Sequence, residues 1–152
     1  VINNLGMAYA DKKQYEQAEK MYQKAISLAP SAAVAYHNLA NIYRKMGKIN
    51  AARENYEKAI SLDPKFVFSY NALLELYLKD KNYSQARKVL ENYLNYSESK
   101  IEVLFLLAQI ASEEKDFPSA LAYLQKALLI DPENQAIKNA TAQIKNLIET
   151  EK

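Results

Sequence analysis

The strongest constraint on the fold of this 152-residue chain is that it repeats itself. Residues 15 to 30 read YEQAEKMYQKAISLAP, and 34 residues on, at 49 to 64, the chain reads INAARENYEKAISLDP. The same interval gives YSQARKVLENYLNYSE at 83 to 98 and FPSALAYLQKALLIDP at 117 to 132. A fixed period of this length makes each copy one supersecondary unit. Such a unit cannot bury its apolar face alone, so stacking of neighbours must supply the core.

The units are predicted to be helical. Two glycines and four prolines are too few to break the chain often, and Val, Ile and Thr show no period-two alternation. In the copy at 49 to 64, Ile49, Ala52, Tyr56 and Ala59 recur at steps of three and four, which places them on one helical stripe. Upstream, AVAYHNLANIYRKMG at 33 to 47 carries a second stripe of Tyr36, Leu39, Ala40 and Tyr43, so each period is a helical hairpin. Leu5, Leu39, Leu73 and Leu107 form one column and Ala18, Ala52, Ala86 and Ala120 another. An unbroken alanine column marks close approach of two helix backbones, where a larger side chain would overpack at roughly 1–3 kcal/mol. Gly6, Ala40 and Ala108 act alike on the first helices. Pro30, Pro64 and Pro132 stop the second helices, since proline lacks the amide donor and restrains the residue before it.

The spacing of Leu39, Ala40, Tyr43, Ala52, Tyr56, Ala59 and Pro64 resembles the tetratricopeptide repeat. The resemblance implies an all-α, right-handed superhelical solenoid of helix-turn-helix repeats, here a single domain spanning 1–152. Its repeats would cover 1–32, 33–66, 67–100 and 101–134, followed by a C-terminal capping helix at 135–149. That helix has an apolar stripe of Ile137, Ala140, Ile144 and Leu147 and a polar outer face of Lys138, Asn139, Gln143 and Asn146. In the third repeat, Leu74 and Tyr93 occupy small-residue columns and Glu98 replaces proline, so irregular packing is expected there. The first helix lacks a preceding hairpin and begins at Val1 rather than Met. A piece of a longer protein is therefore expected, with an apolar N-terminal edge open to self-association.

Composition removes most chemistry. Twenty basic against 18 acidic residues give a net charge of +2, too little to suggest nucleic acid. Residues 1–66 are mildly basic and the remainder mildly acidic. The chain has no cysteine, hence no disulfide, thiolate nucleophile or thiolate metal site. No apolar run approaches a membrane span and none resembles a signal peptide, so no direct membrane insertion is expected; the compartment is undetermined, with the cytoplasm as default. Gly6 and Gly47 lie in different repeats, too far apart for a phosphate-cradling loop, and the only histidine, His37, which a serine nucleophile would need as base, is centred in a predicted helix. Glu113, Glu114 and Asp116 read as a solvated loop, with Asp116 before Pro118 suited to cap a helix. Arg44, Lys45, Lys48 and Arg53 read as a solvated rim, and most tyrosines occupy repeat columns rather than stacking platforms. No catalytic residue, metal or cofactor is expected.

Each first helix leaves a second stripe unused by the core. The family resemblance implies that this stripe lines a concave groove where partners bind. It would comprise Asn3 and Met7, then His37, Asn41 and Arg44, then Phe68, Asn71 and Glu75, then Phe105 and Gln109, with Asn38 at the edge. Asparagine is a poor helix former, and its amide can both donate to and accept from a peptide group, so its enrichment here points to peptide recognition. The lysine, asparagine and arginine set with which chaperone-binding family members hold a terminal carboxylate is missing in either register. The expected function is non-catalytic binding of a protein or peptide segment; the alternative is an accessory substrate-recruiting domain of a larger enzyme such as a protein glycosyltransferase.

Overall fold

The computed structural model describes residues 1 to 150, which form nine α-helices and no strand. In order these are α1 (Ile2–Asp11), α2 (Tyr15–Leu28), α3 (Ala33–Lys45), α4 (Ile49–Leu62), α5 (Val67–Lys79), α6 (Tyr83–Leu94), α7 (Lys100–Glu113), α8 (Phe117–Ile130) and α9 (Gln135–Thr150). The all-α repeat fold read from the period is what forms. The chain divides into two compact units, one from Val1 to Leu76 and one from Tyr77 onward.

In the first unit, α1 pairs with α2 and α3 with α4, while α2 also packs on α3. Ala18, Tyr22, Leu39 and Ile42 form a buried cluster, surrounded by Tyr9, Ala10, Tyr15, Ile26, Tyr43 and Met46. In the second unit, α7 packs on α6 and α8, and α8 on α9. Ala18, Ala52, Ala86 and Ala120 are all fully buried, as a close-contact column requires. The small column on the first helices has a direct cause at Gly6: a Cβ built there would lie 2.7 Å from the Tyr22 ring.

Leu5 departs from its column. Leu39, Leu73 and Leu107 are buried, but Leu5 is 45% exposed, because no second helix among the described residues lies on the side of α1 that α2 covers for α3. In the third repeat α6 has 12 residues where α2, α4 and α8 have 14. It lacks the proline at 98, and its chain instead turns at Tyr96 and Ser97, whose amides both donate to Tyr93 O at 2.9 Å. On α9, Ile137 and Ile144 are buried as expected, but Leu147 is exposed.

The hairpin turns share one device. Gln14, Lys48, Asn82 and Asp116 donate their amides to Tyr9, Tyr43, Tyr77 and Ala111 carbonyls at 2.9, 2.8, 2.8 and 2.8 Å. The residue before each donor is left-handed: Lys13 at φ 59°, Gly47 at 75°, Lys81 at 54° and Lys115 at 59°. This is the αL helix stop, which satisfies terminal carbonyls and reverses the chain within three residues. The donor residue then opens the next helix, and Asn82 and Asp116 add a side-chain cap to the amides of Gln85 and Ser119.

Candidate functional site

Each unit contains an open pocket built on the unused stripe of its first helices, and the second unit has another, of about 520 Å³, between the start of α7 and the α8–α9 turn, lined by Glu98, Lys100, Glu102, Ile130 and Asn134 among others. In the first unit a cavity of about 300 Å³ lies between α1 (Met7, Ala10, Asp11) and α3 (Asn38, Asn41, Ile42, Arg44, Lys45), with Tyr22 at its base. In the second, a cavity of about 400 Å³ lies between α7 (Phe105, Ala108, Gln109, Ser112, Glu113) and α9 (Ala140, Gln143, Ile144), with Leu124 at its base. The two are the same site in the repeat. Met7, Ala10, Asp11, Tyr22, Asn38, Asn41 and Ile42 stand three periods before Gln109, Ser112, Glu113, Leu124, Ala140, Gln143 and Ile144 respectively.

Of the residues expected in a groove, Met7, Asn38, Asn41 and Arg44 meet in the first pocket and Phe105 and Gln109 in the second. Asn38 lies inside the pocket rather than at an edge. Its Nδ2 donates to Asn3 Oδ1 at 3.1 Å, which joins α3 to α1 and orients both amides. Asn41 Oδ1 accepts from the Tyr56 hydroxyl at 2.6 Å, leaving the Asn41 amide hydrogens to face the pocket. His37, Phe68, Asn71 and Glu75 line neither pocket. Asn71 is exposed. Phe68, 64% exposed, packs on Phe66 with ring centroids 5.5 Å apart, and His37 meets Phe66 edge-on at 5.2 Å. His37 Nδ1 lies 3.0 Å from the buried Ser69 hydroxyl. Burial, and then the nearby Arg44, hold the His37 pKa below its ordinary value, so the ring is neutral at pH 7.

Arg44 is not a free rim charge. It donates to Glu75 at 2.8 Å, linking α3 to α5 on the surface. Lys48 reaches Glu19 at 3.4 Å, and Lys45 lies over the Tyr15 ring at 5.9 Å. The acidic run is likewise structural. Arg87 Nη1 donates to Asp116 Oδ2 at 2.7 Å and lies 3.2 Å from Glu114 Oε2 without the alignment of a hydrogen bond. The Arg87 hydrogen bond, with that from Ser119, keeps the Asp116 carboxyl below the usual carboxylate range. Tyr123 donates to Glu91, and burial with that bond pushes its phenol up to about 12. No cluster of metal-ligating side chains occurs among the described residues, and no helix among them is long and apolar enough to cross a membrane.

Sequence reasoning missed Gln143, which it placed on the outer face of the capping helix. Counting one further period from Gln109 reaches Gln143, so the signal was present although α9 has lost the core columns that mark the other repeats. Tyr22 and Leu124 are buried in the core and each also lines a pocket.

Tetratricopeptide repeat profiles match residues 1–65, 43–110 and 77–144. No curated protein matches the sequence. Among solved structures, the MamA protein aligns with a TM-score of 0.64 at 16% identity, covering 95% of this chain and 79% of that one. YrrB, described as a TPR protein with an unusual peptide-binding site, aligns with a TM-score of 0.64 at 21% identity, covering 97% and 76%. The first TPR of Spaghetti (RPAP3), solved bound to the HSP90 peptide SRMEEVD, aligns with a TM-score of 0.60 at 20% identity, covering 75% and 93%.

Proposed function

This chain belongs to the tetratricopeptide repeat family, and we propose that it is a non-catalytic interaction module that binds extended peptide segments of protein partners in the pockets of its first helices. The observation that carries this reading is that the stripe left over by the core builds the same pocket twice, in equivalent register, with amide side chains in both. In the first pocket, the bonds to Asn3 and Tyr56 leave Asn38 an acceptor and Asn41 two donors. That pairing matches the N–H and C=O of a peptide group and reads no side chain. In the second pocket the exposed Gln109 amide and Gln143 amide take the same part. Peptide binding by the structurally similar YrrB and RPAP3 repeats agrees with this use of the fold. Phe68 and Asn71 add an exposed apolar and an amide contact on α5.

Each amide pairing contributes about 0.5–1.5 kcal/mol net, so micromolar affinity needs both pockets or several contacts. The test is panning of a random-peptide display library on the 152-residue chain, followed by calorimetry of the selected peptides. Binding to the wild type, and its loss in an Asn41→Ala, Phe105→Ala, Gln109→Ala triple variant of equal helicity, is expected. Failure to select any peptide, or equal binding by the variant, refutes the reading. The exposed Leu5 and Met7 on α1 are in addition a surface for self-association at high concentration, which Leu5→Asp abolishes; sedimentation of a strict monomer at high concentration overturns that part.

A further inference from the structure

Resting on the reading of the pockets as peptide sites, we infer that the α7/α9 pocket selects a large aliphatic side chain adjacent to a lysine or arginine. The duplicated site supplies its own control. In the first pocket the carboxylate of Asp11 shares the cavity with two cations, Arg44 and Lys45, both contributed by the last turn of α3. In the second pocket the equivalent carboxylate is Glu113, and the positions matching Arg44 and Lys45 on α9 are Asn146 and Leu147. The cation pair is therefore gone and the carboxylate kept. Glu113 is exposed, forms no ion pair among the described residues, and is the single charged side chain in the wall of its pocket. An unbalanced carboxylate at the mouth of a partly apolar cavity favours a cation on whatever enters it.

The rest of the wall fixes what that cation must be attached to. Beside Gln109, Gln143, Ser112 and Glu113, the wall is hydrocarbon: Phe105, Ala108, Leu124, Ala140 and Ile144. The equivalents of Ala140 and Leu124 in the first pocket are Asn38 and Tyr22, so the second pocket has exchanged an amide and a phenol for hydrocarbon, and it gains Phe105 where the first repeat has Asn3. Its volume of about 400 Å³ exceeds that of one Leu or Met side chain. Gln109 and Gln143 flank this floor on opposite helices and are placed to pair with the backbone on either side of the buried residue. The cation beside the apolar residue then reaches Glu113 at the α7 end.

The experiment uses the full 152-residue chain, ¹⁵N-labelled, titrated with three otherwise identical 11-residue Gly/Ser carrier peptides bearing Leu-Lys, Leu-Glu or Ser-Lys at the centre. Leu-Lys is expected to move amide resonances of 105–113 and 140–144. It should bind roughly ten-fold or more tightly than Ser-Lys, from burial of the aliphatic chain. It should bind about two- to five-fold more tightly than Leu-Glu, a gap that widens as salt is lowered. Glu113→Lys, a substitution at an exposed position, should reverse the Lys-over-Glu preference while leaving Leu over Ser. Ala140→Leu should fill the cavity and abolish both. Equal shifts from Leu-Lys and Leu-Glu, an unchanged order in Glu113→Lys, or shifts outside 105–113 and 140–144 overturn the inference. Display-selected peptides that bind elsewhere on the chain leave the general peptide-binding reading standing while this pocket's chemistry fails. Absence of any selected peptide removes the general reading itself.

Discussion

The left-handed turn residue between the helices of each hairpin is the most direct point at which to test how this chain folds. Position 47 is glycine and positions 13, 81 and 115 are lysine, yet all four adopt φ between 54° and 75°. A residue with a Cβ gives up roughly 1–2 kcal/mol in that region. Glycine escapes this but surrenders about 0.5–1 kcal/mol more backbone entropy on folding. The difference, about 0.5–1 kcal/mol per site, is what Lys13→Gly or Lys81→Gly should add to stability, and what Gly47→Ala should remove. Gly47 is the clean case, because a Cβ placed there meets nothing within 4 Å; its cost is conformational, with no clash mixed in. Lys115 is a poorer site, since its side chain has an interaction of its own. The assay is urea unfolding followed by far-UV circular dichroism, read as a shift of midpoint at constant slope. In heat, the same changes amount to about 1–4 °C at this chain length. The sites lie in separate turns, so Lys13→Gly and Lys81→Gly should add. A neutral Gly47→Ala together with a destabilising Lys13→Gly would refute the reasoning, since the turns would then be held by contacts of the side chain rather than by the backbone's left-handed cost.

Gly6→Ala should destabilise the first hairpin by about 1–3 kcal/mol less the ~1 kcal/mol gained in helix propensity, and Tyr22→Leu in the same chain should relieve it, as a double-mutant cycle in urea will read. His37 has a folded-state pKa below its ordinary value of 6.5, so the unfolded chain binds a proton that the folded chain resists. Stability is therefore constant above about pH 6.5 and declines as pH falls below it, and His37→Gln should flatten that slope in urea melts run from pH 7.5 to 5. Asp116 has its pKa depressed by Arg87 and Ser119, so its contribution is present above the ordinary carboxylate value and lost as pH falls through the lower folded value. Asp116→Ala should cost about 1 kcal/mol as a lost helix cap at neutral pH, and less as pH falls below the ordinary carboxylate range, measured the same way. Tyr123 should resist ionisation up to about pH 12 in an ultraviolet titration, and Glu91→Gln should bring it down toward an ordinary phenol.

What the sequence discloses about this fold depends on whether a residue's role is set within the period. The alanine column at 18, 52, 86 and 120 is constant because helix-to-helix distance leaves no room for alternatives, and its complete burial follows. The proline stops at 30, 64 and 132 are legible for the same reason, each falling two residues after the helix ends at Leu28, Leu62 and Ile130. The turn column was not legible, because lysine has no intrinsic claim on a left-handed conformation and a single glycine among three lysines carries no visible pattern. Leu5 shows a different limit: its column is the core column, but burial depends on a neighbour beyond α1 and not on the residue. The ties between distant charges, Arg44 to Glu75 and Arg87 to Asp116, lie 31 and 29 residues apart. Long side chains of either sign reach many partners from such positions, so periodicity alone does not choose among them.

The same division separates what holds this chain together from what it can recognise. Positions that face the neighbouring helix repeat with little freedom, whereas positions 11, 45, 79 and 113, at the solvent end of each first helix, run Asp, Lys, Lys, Glu. Positions 7, 41, 75, 109 and 143 run Met, Asn, Glu, Gln, Gln. Exchange at an exposed helix position changes stability by no more than about 0.5 kcal/mol. It can, however, reverse the sign of the charge at a pocket whose floor and frame stay fixed. The pocket of the first unit, with two cations and one carboxylate around polar walls, and the pocket of the second, with one carboxylate around hydrocarbon, are built on one backbone pattern and differ at such positions and at the wall positions of Tyr22 and Asn38. Tyr22 is the instructive one among these. It lines the first pocket and also lies against Gly6, where a Cβ would stand 2.7 Å from its ring, whereas the second repeat accommodates Tyr56 beside Ala40 with both fully buried. Recognition and packing therefore meet at Tyr22, which serves the pocket and the core of the first hairpin at once.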